Sequence, residues 1–273
     1  CLSCSSSLVS LCPIPVLPLS LPVCSPIRIP HISYPVRLGP FLADYVVVTV
    51  PLGILKANRI RFDPPLPASK QRAISSLGFG VLDKVYLRFS EAFWPAEVGQ
   101  WLCAVQDRPQ KARLFPWFLN GLRYWPKEPA LVAFLSADAA EEMEGWADDQ
   151  KVFDAALDVL GAHFGRERVR KAFLGGYVTR WRRDPYTLGS YVHVPVGASA
   201  ADMDELGRSV GNIHFAGEHV SRKWPGAASG AFDTGRREAR KLRQKIRGAA
   251  QKQKKSQQQK RVNEEESPDD RRV

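Results

Sequence analysis

One junction constrains the fold of this chain more than any other segment. It is Phe215-Ala216-Gly217-Glu218-His219, followed by Trp224-Pro225-Gly226-Ala227-Ala228-Ser229-Gly230-Ala231. The first part reads as an apolar strand ending in a Gly-Glu turn, and the second as a small-residue segment that opens a long helix. Gly and Ala let a ligand approach the backbone closely, and a helix N-terminus favours negative charge. Tyr45 to Val50 adds a continuous apolar run, the pattern of a parallel strand buried on both faces. Strand–turn–helix junctions joined to such a strand place the chain in the α/β class.

A chain of 273 residues has ample material for one large domain or two small ones, and a hydrophobic content of 44% with seven Trp suits a globular enzyme. The net charge of +11 is unevenly distributed. Residues 236–273 carry 14 Lys/Arg against 6 Asp/Glu, which leaves residues 1–235 nearly balanced. A nucleic-acid or chromatin partner therefore rests on the basic C-terminal region alone, where a solvated charged face is the ordinary explanation.

Four of the five cysteines, Cys1, Cys4, Cys12 and Cys24, fall at the N-terminus, and the fifth is Cys103. The odd total argues against a simple disulfide framework. No second Cys-x-x-Cys or His pair completes a zinc set with Cys1 and Cys4, so no metal site is expected. Pro13, Pro15, Pro18 and Pro22 interrupt the apolar stretch from Leu8 to Val23, which speaks against a membrane span. A basic start and a small-residue cleavage site for secretion are also missing. Residues 1–40 read as an unstructured Pro/Cys-rich leader.

Hydrophobic patterning predicts helices over Ala68–Leu77, Ala137–Met143, Asp149–Phe164 and Gly226–Ile246. It predicts strands over Tyr45–Val50, Gly80–Phe89, Arg113–Leu119, Leu131–Leu135, Gly176–Trp181 and Ile213–Ala216. In Gly80–Phe89 the residues Val81, Val85, Leu87 and Phe89 share one face. Residues 248–273 lose apolar periodicity and read as a disordered charged tail. His31, His163, His193, His214 and His219 show no metal-ligand spacing and read as structural.

Four motifs in order carry a family resemblance. Ala43 to Lys56 (ADYVVVTVPLGILK), Gly78 to Val85 (GFGVLDKV), Arg180 to Tyr191 (RWRRDPYTLGSY) and the Phe215–Ala231 junction resemble FAD-dependent, flavin-containing amine oxidases. Their order and spacing resemble the polyamine oxidase and lysine-specific histone demethylase branch, over residues 42–246. The resemblance implies an α+β substrate domain joined to the C-terminal part of a Rossmann-like FAD-binding domain, a mixed sheet flanked by helices. Its N-terminal half would be missing. The Gly-x-Gly-x-x-Gly turn that grips the ADP half of FAD is not found, since Gly78-Phe79-Gly80 precedes a strand and lacks the third Gly. The implied organisation is an amine oxidase C-terminal half over residues 41–247. Its substrate region is about 56–180, and its FAD-contacting segments are 41–55 and 181–247.

The same resemblance implies roles for single residues. Lys84 would sit near flavin N5, hold a water there and stabilise the electron-rich reduced flavin during reaction with dioxygen. Tyr191, with Tyr186 nearby, would form an aromatic cage for the amine, and Trp181 would pack on the isoalloxazine ring. Gly217 and Glu218 would face the pyrophosphate and ribityl region, with Glu218 binding hydroxyls or capping the turn. Ala228 would offer its N–H to the flavin pyrimidine edge. Ala227 replaces a second cage Tyr and opens the site to long substrates. Ser190, where some relatives carry a flavin-linked Cys, implies non-covalent FAD, and Ser229 replaces a family His.

The expected activity is oxidation of an amine, foremost a polyamine, with hydride passing to flavin and dioxygen giving hydrogen peroxide. Histone lysine demethylation is the alternative within the family. A non-catalytic remnant, lacking the ADP-binding half, is the alternative outside it. The terminal Arg271-Arg272-Val273 is no peroxisomal signal, and the basic segment is a weak pointer to nuclear import.

Overall fold

The computed structural model describes residues 43–102 and 115–265, with side chains to residue 261. The expected leader, the Cys1/Cys4 cluster and Cys103 lie outside these residues. The apolar run near the start forms β1 (Val46–Val48), and Pro51 then begins the short helix α1 (Leu52–Lys56). After α2 (Ala68–Ser76) come β2 (Gly78–Gly80) and β3 (Leu82–Phe89). Next are β4 (Gln100–Leu102), β5 (Trp117–Asn120) and β6 (Ala130–Ser136). Three helices follow: α3 (Ala137–Glu144), α4 (Asp149–Phe164) and α5 (Arg166–Ala172). The chain returns through β7 (Phe173–Val178), β8 (Tyr191–His193), α6 (Ala200–Gly207) and β9 (Ile213–Phe215), and ends in α7 (Ala228–Glu265).

The strands form an antiparallel five-stranded sheet in the order β4-β5-β6-β3-β7, the antiparallel pair β2-β8 and the parallel pair β1-β9. The α/β class with a mixed set of strands is therefore what the structure contains. Val85, Leu87 and Phe89 of β3 pack with Phe118, Leu131, Ala133 and the apolar stripe of α4 into one core. That stripe buries because Val152, Phe153, Ala156, Leu157, Val159 and Leu160 recur at helical spacing. Asp148 caps the start of α4 by accepting the Gln150 N–H, and Gly165 at φ +91° ends it. A second core joins Leu52 and Leu55 of α1, Ala73, Ile74 and Leu77, Met203 and Leu206 of α6, and Phe215. Lys70 closes it from the side, its Nζ donating to the carbonyls of Glu205, Leu206 and Arg208 at the end of α6. Burial pulls the Lys70 ammonium down to about 8.

Three differences from the sequence reading have physical causes. The strand expected over Gly176–Trp181 lies upstream as β7, because its pairing with β3 extends back to Phe173 and the Trp181 N–H is taken by Asp83. The strand expected over Arg113–Leu119 is β5, and residues 113–114 lie outside the described ones. The last helix does not end at Ile246, and residues 248–265 of the expected disordered tail are helical. Gln, Lys, Arg and Ala are good helix formers, and Pro268 is the first proline after α7 begins. Apolar periodicity reports burial rather than helicity, so its loss marks where α7 leaves the body. No helix among the described residues is long and apolar enough to cross a membrane.

Candidate functional site

Strand β3 supplies the first part of the site through its two faces. Asp83, Val85, Leu87 and Phe89 point into the core, while Lys84 and Tyr86 are half-buried on the opposite face. The register places Phe134 opposite Lys84, Trp117 opposite Phe134, and Tyr177 opposite Tyr86. Directly opposed residues share a face, so Lys84 emerges among aromatic rings. Its Nζ lies 5.6 Å from the Phe134 ring centre, Trp117 stacks on Phe134 at 4.2 Å, and Tyr86 meets the edge of Trp125 at 6.1 Å. Burial and the neighbouring Glu128 push the Tyr86 phenol up to about 12, so it stays neutral. An aromatic wall of this kind attracts organic cations through the ring faces.

The loop between β7 and β8 is laced onto the start of β3. Thr179 donates its hydroxyl to Asp83 Oδ1 at 2.8 Å and accepts the Lys84 N–H at 2.8 Å. Asp83 Oδ1 also accepts the Trp181 N–H at 3.1 Å, while Glu144 at the end of α3 accepts the N–H groups of Arg182 (2.8 Å) and Arg183 (3.1 Å). Three consecutive backbone N–H groups thus point into two buried carboxyls, and these lie within hydrogen-bonding reach of each other. Burial, with Glu144 beside it, pushes the Asp83 carboxyl up to about 7. A proton on Asp83 gives its otherwise unpartnered Oδ2 something to donate. Ser190 completes the lacing, its hydroxyl donating to the Gly80 carbonyl at 2.9 Å and accepting the Leu82 N–H at 2.7 Å. A side chain at Gly53 of α1 would strike the carbonyls of Thr187 and Leu188, so glycine is what admits this loop.

The third part is the β9–α7 junction. Gly217, at φ +145°, exchanges hydrogen bonds with the Thr234 hydroxyl of α7, and a side chain at 217 would collide with the His219 ring. The Gly217 N–H is thereby engaged within the protein, as is that of Gly226. Glu218 turns inward, its Oε2 accepting the Gly226 N–H at 2.8 Å and the Val192 N–H at 3.3 Å. That one carboxyl ties β8 to the turn before α7, and its burial raises the carboxyl pKa. Gly226, at φ +71°, packs against Tyr191, whose ring a Cβ there would meet at 3.1 Å. Ala227 is half-buried beside it, and Ala228 is exposed as the first residue of α7. His219 is buried with an unpartnered Nε2, and burial alone pulls its pKa to about 4.

The structure therefore brings Tyr191, Gly217, Glu218, Ala227 and Ala228 into one neighbourhood, and the β2–β8 pairing of Gly80 with Tyr191 carries it to the head of β3. Trp181 is tied by its backbone to Asp83, the residue before Lys84. Tyr186 stands further out and is 53% exposed, its N–H donating to Asp184 in a local turn.

The cofactor implied by the resemblance needs bare backbone, free N–H donors and an aromatic wall. The Gly226-Ala227-Ala228-Ser229 segment, exposed except at half-buried Ala227, the N–H groups of Ala228 and Ser229 and the Tyr191 ring would meet these needs for the flavin end. Among the described residues no group of three or more His, Cys, Asp or Glu is gathered for a metal.

Sequence reasoning missed the Asp83–Glu144 pair, although a signal was present. Asp83 falls midway between Val81 and Val85 on the face expected to be buried, where a carboxyl requires partners. It also missed the aromatic face, whose members come from four strands, and the stapling role of Ser190.

The family model of flavin containing amine oxidoreductases matches residues 37–243. Lysine-specific histone demethylase 1 homolog 3 of Arabidopsis thaliana is 39% identical over 200 residues, covering 73% of this chain and 12% of its own. Homolog 2 of the same plant is 36% identical over 203 residues, covering 74% of this chain and 27% of its own. The chain thus spans about a quarter or less of the length of these relatives. Among solved structures, putrescine oxidase bound to putrescine superimposes with a TM-score of 0.62 at 21% identity. That match covers 74% of this chain and 43% of the other, and it speaks to the fold.

Proposed function

The chain belongs to the family of flavin containing amine oxidoreductases, and from that premise we propose that it forms the substrate face and flavin-end contacts of an FAD-dependent amine oxidase acting on a polyamine. The observation that carries the reading is Lys84 emerging within an aromatic sheet face, on a strand laced to the loop that bears Trp181 and leads into Tyr191 of β8. FAD held at this end would supply the two-electron oxidation that takes the amine carbon–nitrogen bond to an imine, with dioxygen as terminal acceptor and hydrogen peroxide as its product.

The protein's own residues have distinct tasks in this reading. Tyr191, braced by Gly226, offers a ring face to the incoming amine, and Tyr186 lines the outer approach. Trp181, its backbone held by Asp83, would lie against the isoalloxazine ring. Lys84 orders a water and places a positive charge where electron density accumulates. Ala228 donates its first-turn N–H to the flavin edge, where the helix N-terminus favours negative charge. Glu218 and Gly217 shape the junction beside the ribityl chain, Glu218 by fixing the Gly226 turn and Gly217 by admitting His219. Ala227 leaves the cage open for a long substrate, and Ser190, engaged in backbone bonds, leaves the cofactor non-covalent.

A second reading, oxidation of methylated histone lysine, is favoured by the names of the sequence relatives. One experiment orders these possibilities. The full chain is incubated with FAD and freed of excess by gel filtration. It is then assayed for visible flavin absorbance and for peroxide released from spermine or from a methyl-lysine histone peptide. Retained flavin with peroxide from spermine supports the polyamine reading, and peroxide from the peptide alone selects the second. A chain that retains no flavin is a non-catalytic fragment, which overturns both.

A further inference from the structure

Helix α7 is held to the body along one side only. Thr234 bonds to Gly217, Glu238 accepts from buried His214 at 2.9 Å, and Lys245 Nζ approaches the other nitrogen of His214 at 3.5 Å. At 100° per residue these three positions share one face. Arg236, Arg240, Arg243, Arg247, Lys254 and Arg261 fall on the opposite face, at successive spacings that repeat after four, three and seven residues. All six are exposed. Among the described residues no carboxylate is paired with any of them. Residues 236–261 hold 12 Lys/Arg and one acidic residue, Glu238, which points at the body. At 1.5 Å per residue the stripe runs for about 38 Å, close to one turn of duplex DNA.

The composition of this helix selects among polyanionic partners. Docking on a helical protein partner uses an apolar seam, and seating of a helix in a membrane interface uses an apolar face beside its charges. Between Arg236 and Arg261 the apolar side chains are Ala239, Leu242, Ile246, Ala249 and Ala250, and two large ones, Leu242 and Ile246, are too few for a seam or an apolar face. Nucleic acid needs neither, since its affinity comes from cations that displace condensed counterions. Gln251, Gln253, Gln257, Gln258 and Gln259 add amide donors of the kind that contact phosphates and sugars. The DNA major groove is wide enough to admit an α-helix, whereas that of duplex RNA is deep and narrow. We propose that the outward stripe of α7, from Arg236 to Arg261, is a sequence-independent docking surface for double-stranded DNA. The surface owes nothing to the flavin reading and is tested without flavin.

The test is fluorescence anisotropy of a labelled 20-base-pair DNA duplex titrated with the full chain at several salt concentrations. Six phosphate contacts give a slope of log K against log salt of about −5, or roughly a thousandfold loss of affinity between 50 and 200 mM. Replacing three stripe residues (Arg243→Gln, Arg247→Gln, Lys254→Gln) is expected to flatten the slope by about 2.7. Replacing three off-stripe residues (Lys252→Gln, Lys255→Gln, Lys260→Gln) removes the same charge and is expected to change it by less than about 1. Gln preserves helicity, which circular dichroism verifies for both variants. Equal losses from the two triple variants overturn the proposal, as does the absence of binding at 50 mM. Equal affinity for an RNA duplex of the same sequence, for polyglutamate or for anionic vesicles also overturns it.

Discussion

Two adjacent residues of β3 illustrate how much one strand position can matter. Lys84 and Asp83 face opposite sides of the sheet, one toward the aromatic wall and one into the core. Lys84→Met is expected to slow dioxygen-dependent flavin reoxidation by about ten- to a hundredfold. Anaerobic flavin reduction by substrate should change far less, which stopped-flow absorbance separates. Asp83 governs a different measurement. Its carboxyl is raised to about 7, so between about pH 4 and 7 the native state holds a proton that the unfolded chain releases, and stability falls as pH rises. His219, lowered to about 4, acts the other way from about pH 4 to 6.5, because the unfolded chain binds a proton that the native state refuses. The two slopes oppose each other. Asp83→Asn keeps the acceptor for Thr179 and Trp181 and removes one slope, so urea stability should then rise across that window by up to about 1.4 kcal/mol per pH unit. An unchanged pH profile in this variant would exclude the proton on Asp83. The Asp83 position was readable in the strand alternation, but Glu144, 61 residues later, was not, because nothing local links the two.

At the scale of elements, α7 is fixed by a buried polar knot rather than by a large apolar face. Glu238 accepts from His214, Arg237 and Lys241, and these partners hold its carboxyl below the usual range against the opposing effect of burial. Glu238→Ala removes the acceptor shared by His214, Arg237 and Lys241, leaves His214 with Ser209 and Lys245, and should cost about 1–3 kcal/mol, read as a lower urea midpoint. A loss below 1 kcal/mol would show that the knot contributes little. Helices α1 and α2 show a related device, since Lys56 Nζ donates to the carbonyls of Ile74, Ser75 and Leu77 at the end of α2. Lys56 closes the PLGILK motif by which the family is recognised, and its geometry gives it a capping task. Periodicity located α4 to the residue, yet α5, α6 and β8 were not visible in it. These are short elements whose residues are chosen by their neighbours, as Tyr191 is by Gly80 and Gly226.

Over the whole molecule, two cores of unequal support stand side by side. The five-stranded sheet is backed by α4, whereas β1 and β9 form a two-stranded parallel pair with three residues in each strand. Isolated two-stranded pairs are marginal in water. Native-state hydrogen exchange should therefore find the slowest amides at Val85, Leu131 and Ala133 and much faster ones at Val46–Val48. FAD that binds at the α7 junction should slow the β1–β9 amides selectively, and uniform protection across both cores would contradict this division. The sequence by itself determined the family, the α/β class and the long apolar-faced helix α4. It could do so because motifs, alternation and helical periodicity are local properties of the chain. Only the tertiary structure decided that Asp83 and Glu144 share a site, that Lys84 enters an aromatic face built by four strands, and that the basic residues of α7 form one outward stripe. Each depends on pairing register or on which side of a helix is anchored, and those are settled by contacts between residues far apart in the chain.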